Sequence, residues 1–256
     1  IFRTIPSDAR QANFAAGVVN NRGFGKLAVL AINDDYGQGF DGVLKTAFPA
    51  LGGEVVASEF FESGAVDVRT QLTKIKAAGA DSLYIISNSP DAAIAALKQV
   101  KELGLEIAVF GSEGLKSDDI IDGAKEAAEG LILTAPTDPS AEFVQMHNNE
   151  YGEDPGPFAG QAYDAMTAII KAIQGGADTG EEIQAALQDI SFEGVTGPID
   201  FDENGDVAGS YDVFEVTSGA FVMEGVIIED NSHEDAAMEA MEKDEEHDDD
   251  GDDDDE

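Results

Sequence analysis

The sequence predicts an α/β protein on a doubly wound parallel sheet, from three observations. Residues 27–32 are six consecutive apolar positions that stop in Asn33-Asp34-Asp35-Tyr36-Gly37-Gln38-Gly39. A run this short and continuously apolar suits a strand covered on both faces. Strand and helix patterns then alternate five times across about 135 residues, as right-handed βαβ crossovers require. At Ala135-Pro136-Thr137-Asp138-Pro139 the rhythm changes to three successive helices, which need a second unit to bury their apolar faces.

Residues 1–5 form a β-type lead closed by Pro6, and Ser7 is placed to cap a helix through Gln11, Phe14, Ala15, Val18 and Val19 that ends at Gly23. After the opening strand, Phe40, Val43, Leu44, Ala47 and Phe48 recur at helical spacing until Gly52-Gly53. Residues 54–60 read as a strand, followed by a helix capped by Asp67 that carries Val68, Leu72 and Ile75 and closes near Gly79. Strand 82–87 leads to helix 90–103, with Pro90 in a favoured first-turn position. Strand 107–110, helix 117–127 and strand 131–134 complete the alternation. Helices are then expected at 141–151, 157–175 and 179–190, the middle one with Phe158, Ala162, Ala165, Ile169 and Ile173 on one stripe. Strands at 197–201, 210–216 and 220–227 end the folded part, and 229–256 reads as a disordered acidic tail.

Charge excludes one class of partner. The chain carries 53 acids against 14 Lys and Arg, a net −39; the tail holds 17 of the acids, leaving 36 acids and 13 bases in residues 1–228. Nucleic acid and anionic lipid require clustered bases, so neither is expected as a partner. An acidic body with few lysines also fits a high-salt habitat, where screening relieves self-repulsion. With no cysteine, disulfide and thiolate chemistry are absent. No apolar run approaches the roughly 18 to 20 residues of a bilayer span. The chain opens on Ile1 without the basic and apolar regions of a signal peptide, as a mature form or a fragment would.

Catalytic motifs are lacking: there is no GxSxG, P-loop, HExxH or GxGxxG after the first strand. His147 falls inside a helix, and His233 and His247 in the tail, without partners at metal-ligand spacing. Asp34-Asp35 at a strand end could mimic a phosphoacceptor pocket, but the last parallel strand offers no lysine, and a solvated turn is the simpler reading. Asp200 to Asp206 resembles half a calcium loop, yet its twelfth position is Tyr211 instead of Glu, which favours a turn through Asn204-Gly205. Neither a metal nor a cofactor is expected. Glu113, in Phe110-Gly111-Ser112-Glu113-Gly114, follows a buried strand where glycines let backbone approach a ligand closely. It is either a carboxylate for an ammonium group or a solvated acid ahead of a helix.

Six segments in order carry a resemblance: Phe2-Arg3-Thr4, Asp35-Tyr36-Gly37-Gln38-Gly39, Phe110-Gly111-Ser112-Glu113-Gly114, Ala128-Glu129-Gly130, Tyr163-Asp164-Ala165 and Gly197-Pro198-Ile199-Asp200-Phe201-Asp202. Together they resemble the branched-chain amino-acid-binding (Leu/Ile/Val) family of periplasmic solute-binding proteins, from residue 1 to about 228. The resemblance implies a type I periplasmic binding protein fold, with one complete lobe plus part of a second. Residues 1–135 and 210–228 would form the second lobe and 136–209 the helical part of the first. A first-lobe segment with a signal peptide would precede Phe2. The implied function is the non-enzymatic, monomeric substrate-binding component of an ABC transporter, which delivers a small amino acid to a membrane permease. Its implied location is periplasmic or extracellular, through a lipid anchor if the preceding segment supplies one. Tyr36 and Phe158 would wall the ligand, and Glu113 would bind its ammonium. Asn88 and Ser89 would also contact the ligand; they stand where leucine-binding members carry an aromatic, so an amide, urea or aromatic acid is an alternative ligand. A sensory-receptor ectodomain is the alternative role. The three helices of 136–209, without the sheet of their lobe, would leave Phe158, Ile169 and Ile173 exposed.

Overall fold

The structure, a computed structural model, describes residues 1–226. The acidic tail expected at 229–256 lies outside the described residues. In chain order the elements are α1 (Asp8–Asn21), β1 (Lys26–Ile32), α2 (Asp35–Ala50), β2 (Glu54–Phe61), α3 (Arg69–Ala78), β3 (Ser82–Ile86), α4 (Pro90–Glu102), β4 (Ala108–Gly111), α5 (Asp118–Ala124) and β5 (Ile132–Pro136). They continue with α6 (Ala141–Tyr151), α7 (Ala159–Gln174), α8 (Gly180–Gln188), β6 (Ser191–Gly194), β7 (Gly197–Asp200), β8 (Tyr211–Thr217) and β9 (Ala220–Val226).

Seven strands form one sheet in the order β2-β1-β3-β4-β5-β8-β9. The first five run parallel, and β8 and β9 return antiparallel. The continuous apolarity of β1 has a direct cause: Ala28, Leu30 and Ile32 enter the core with α3, α4 and α5, while Leu27, Val29 and Ala31 enter the opposite core with α1 and α2. Both faces are covered, so no position from Leu27 to Ile32 faces water.

Several local expectations are corrected. Helix α2 starts at Asp35 instead of near Phe40, because the Asp34 side chain caps it, accepting from Gly37 N at 2.9 Å. Asp34 is therefore a cap and not merely a turn residue. Asp67 does not occupy the cap of α3; Val68 does, and Asp67 Oδ1 accepts from Arg69 N at 3.1 Å. Helix α5 stops at Ala124, where Lys125 takes a φ of 53°, and a single 3₁₀ turn carries the chain through Ala127. The β-type lead makes only one parallel bridge, Arg3 with Asp206, held by an ion pair of 2.5 Å. Strand β6 was not anticipated; it pairs with β7 as a hairpin.

Helices α7 and α8 and that hairpin gather around a separate small core of Ala168, Leu187, Ile199, Phe201 and Val207. Helix α7 buries its small face, Gly160, Gln161, Asp164, Ala168 and Ala172, and turns its large stripe outward. Phe158, Ile169 and Ile173 are 49%, 38% and 50% exposed, as expected. Where the chain leaves and rejoins the main sheet, Thr137 N donates to Ser210 O at 2.9 Å, and Tyr211 OH donates to Ser7 O at 3.1 Å. Gly209, at φ 66°, lies so close to Pro6 that a Cβ would sit 2.0 Å from its ring.

Candidate functional site

Parallel sheets present ligand sites beyond the carboxyl ends of their strands. At that edge the first turn of α2 carries Tyr36, the turn after β3 carries Asn88 and Ser89, and the 3₁₀ turn Glu113–Leu115 after β4 opens on Glu113. Both turns are fixed by glycine. A Cβ on Gly37 would lie 2.0 Å from Ile32 O, and one on Gly114 would lie 2.0 Å from Ser87 O. These contacts are with the chain's own backbone, whereas the sequence suggested close approach to a ligand.

Glu113 is no solvated acid. Its Oε1 accepts from Tyr36 OH at 2.7 Å and its Oε2 from Gln11 Nε2 at 2.6 Å. Gln11 Nε2 also donates to Thr134 O at 2.9 Å, so α1, α2, β4 and β5 converge on one carboxyl group. Tyr36 keeps its ring edge-on to Phe40, with centroids 6.2 Å apart. Burial pushes the Glu113 carboxyl above the usual range; the hydrogen bonds from Tyr36 and Gln11 oppose that rise, and the charge of Asp8 adds to it. Burial, together with the adjacent Glu113 charge, also raises the Tyr36 phenol, which stays a donor at neutral pH. A carboxylate that accepts two hydrogen bonds retains lone pairs for a further donor, and a charged donor would offset its desolvation.

Beside this group lies a cleft of about 580 Å³ lined by Glu113, Lys116, Asp138, Phe158, Gln161 and Phe221 among others. Lys116 Nζ pairs with Asp138 Oδ1 at 2.7 Å and lies 3.7 Å from the centroid of the Phe214 ring. Phe158 stands in this lining, ahead of α7, with φ 63° and ψ 7°. A bulky residue in the left-handed region costs on the order of 1–3 kcal/mol and is held there by its surroundings. Thus Tyr36 and Glu113 touch, and Phe158 shares a cleft with Glu113. Tyr36, Asn88 and Ser89 are not in the lining of that cleft; Tyr36 reaches it only through its bond to Glu113. Asn88 Nδ2 donates to Asp34 Oδ2 at 3.2 Å, and Ser89 N donates to Ser87 Oγ at 3.1 Å.

Among the described residues, the calcium-loop and histidine candidates resolve into local contacts. Asp202 Oδ1 accepts from Asn204 N and Asp206 N, both at 2.9 Å, which is a turn and not a calcium loop. Among the described residues no group of three or more His, Cys, Asp and Glu could hold a metal ion. His147 Nδ1 lies 2.9 Å from Glu153 O in a local contact. A wider hollow of about 940 Å³ between α6 and α7 is lined by Phe143, Met146, Tyr151 and Tyr163 and brings together no comparable buried acid and donors.

Comparison with known proteins gives a consistent result. A family model described as periplasmic binding protein matches residues 1–220. The leucine-, isoleucine-, valine-, threonine- and alanine-binding protein of Pseudomonas aeruginosa is 33% identical over 215 residues, covering 81% of this chain and 57% of that protein. Among solved structures, a leucine-binding protein of Thermotoga maritima superposes with a TM-score of 0.81 at 27% identity, over 89% of this chain and 67% of that one. A solute-binding protein of an ABC transporter from Rhodopseudomonas palustris, in complex with 3,4-dihydroxybenzoic acid, gives 0.73 at 26% identity over the same 89% and 67%. The chain therefore spans less than two thirds of the length of its curated relative.

Proposed function

The chain belongs to the periplasmic binding protein family, and we propose that it is the solute-capturing component of an ABC transporter, binding a small amino acid of the branched-chain type. The observation that carries this reading is Glu113, partly buried in the lining of the cleft and aimed by Tyr36 and Gln11. An amino acid needs a carboxylate for its ammonium and apolar walls for its side chain. Glu113 supplies the first, and Phe158, in the lining of the same cleft, supplies the second. Residues 1–135 with the final strands act as one lobe and 136–209 contributes to the other. The ligand contacts both and favours the closed arrangement about the connecting segments. A monomer that works outside the cytoplasmic membrane and delivers its ligand to a permease follows from the same reading.

An aromatic carboxylic acid is the second reading, since the relative from Rhodopseudomonas palustris is in complex with one. A partly buried Glu113 disfavours it, because two carboxylates would face each other across the cleft. Calorimetry of the full protein against amino acids, amides and carboxylates separates the two. Tight binding of a branched-chain amino acid that is lost in Glu113→Gln supports the proposal. Binding of a carboxylic acid without an amino group, or undiminished amino-acid binding in Glu113→Gln, overturns it.

A further inference from the structure

Gln11 is 2% exposed yet polar, and it sits on the α1 stripe that otherwise packs Phe14, Ala15, Val18 and Val19 into the core. A buried side-chain amide is costly unless its hydrogens are used. Both hydrogens of Nε2 are used: one on Thr134 O at 2.9 Å, a backbone atom of the central sheet, the other on Glu113 Oε2 at 2.6 Å. Thr134 is itself held, its Oγ1 lying 2.6 Å from Tyr84 OH inside the core. The amide therefore stands on the rigid sheet and reaches up to the acid.

We infer that Gln11 is the positioning residue of this site: a neutral donor, anchored on β5, that fixes Oε2 of Glu113 and directs the remaining lone pairs toward an ammonium ligand. The inference rests on the amino-acid reading of the cleft. A neutral donor suits the task. It favours the ionised carboxylate without cancelling its charge, whereas a lysine here would neutralise the group that the ligand must meet. Gln11 and Tyr36 come from different helices and take different oxygens, so the carboxyl plane is set by two independent supports. A site held this way loses little freedom when the ligand arrives.

Two readouts test this. The titratable groups that bear on Glu113 are Tyr36 of α2, Tyr84 of β3 and Asp8 of α1, with Lys116, Asp118, Asp138 and Asp154 lining the same cleft. In the ligand-free protein, carbon-detected NMR follows the Glu113 carboxyl through its titration. In Gln11→Met, which keeps length and removes the donor, the midpoint moves to higher pH. L-leucine affinity falls about tenfold, with the pH at which binding is half-lost displaced in the same direction. Should Gln11→Met fail to fold, the wild-type Gln11 amide protons serve instead, and they titrate with the same midpoint as Glu113. An unmoved Glu113 midpoint, or amide protons blind to it, overturns the role of Gln11. Wild-type protein that binds no amino acid while these titrations behave as described removes the ligand reading and leaves the pairing of Gln11 with Glu113 standing.

Discussion

Tyr36 and Glu113 stand 77 positions apart in the chain and meet through a 2.7 Å hydrogen bond from phenol to carboxylate. The two residues come from the turns that follow β1 and β4, strands separated in the sheet by β3 alone. The bond therefore crosses the carboxyl edge of the sheet where a ligand would rest. It makes Tyr36 more than an apolar wall, the role that the aromatic ring alone suggested.

Replacing Tyr36 by Phe keeps the ring against Phe40 and removes the hydroxyl. We expect stability to change by no more than about 1 kcal/mol, the ordinary net worth of one hydrogen bond. Amino-acid affinity should drop about tenfold or more, because Glu113 loses a donor that favours its charged form. Calorimetric titration and a thermal melt on the same sample check both statements.

The raised Glu113 carboxyl sets a pH dependence with a definite sign. An ammonium ligand needs the carboxylate, so affinity is full above the raised value and declines as pH falls through it. Stability of the ligand-free protein responds in the opposite sense. A group raised by folding contributes stability that is present below its unfolded value and lost as pH rises through its folded value. Glu113→Gln should flatten this part of the stability profile while abolishing binding, a combination that a purely structural acid would not give.

Asp212 is a buried acid, fully enclosed on β8 opposite Ala135, with no hydrogen bond of full geometry to either carboxyl oxygen. Burial raises it above the usual range, with Thr137 and Lys116 opposing and Asp138 adding to the rise. Asp212→Asn removes the cost of the charge, and we expect it to stabilise the protein at neutral pH by up to about 1 kcal/mol. The gain should vanish in acid, where the wild-type carboxyl holds its proton. Urea unfolding at two pH values measures the difference.

Asp164 is fully buried too, and its case is the reverse. Its carboxylate accepts from Val195 N at 2.8 Å, Thr196 N at 2.9 Å and Thr196 Oγ1 at 2.6 Å, which locks the β6–β7 hairpin onto α7. Asp164→Ala should cost about 3 kcal/mol, since buried donors lose a charged partner at once. Hydrogen exchange at Val195 and Thr196 should rise well before exchange in β1.

With a net charge of −39, self-repulsion opposes folding at low ionic strength. Unfolding midpoints should climb between about 0.1 M and 1 M potassium chloride as the screening length shrinks to roughly 3 Å. A flat response would remove the high-salt reading of the composition.

The main sheet was legible because apolar runs with abrupt polar ends leave few alternatives to a buried parallel strand. The Tyr36 and Glu113 turns were legible from their glycines and from their place after such strands. Less could be seen where tertiary contacts override local pattern. Residues 35–39 looked like a loop because two glycines disfavour helix, yet Asp34 caps them into α2. Strand β6 has only four residues, with two alternations before a glycine, too short to show a period. Gln11 lay on a helical stripe in full view. An amide at a core position was itself the signal of a buried partner, but its identity depends on a fold that brings Glu113 from 102 positions away.

The glycines after Tyr36 and Glu113 have a further consequence, for inheritance. Each of the two side chains is presented by backbone closed against a neighbouring carbonyl, so point substitution cannot easily re-aim it. Phe158, half exposed in the lining of the cleft, is held by its own left-handed backbone and not by closure against a carbonyl. A lineage built on this scaffold would keep the Tyr36–Glu113 pair and change the half-exposed side chain at position 158 more readily.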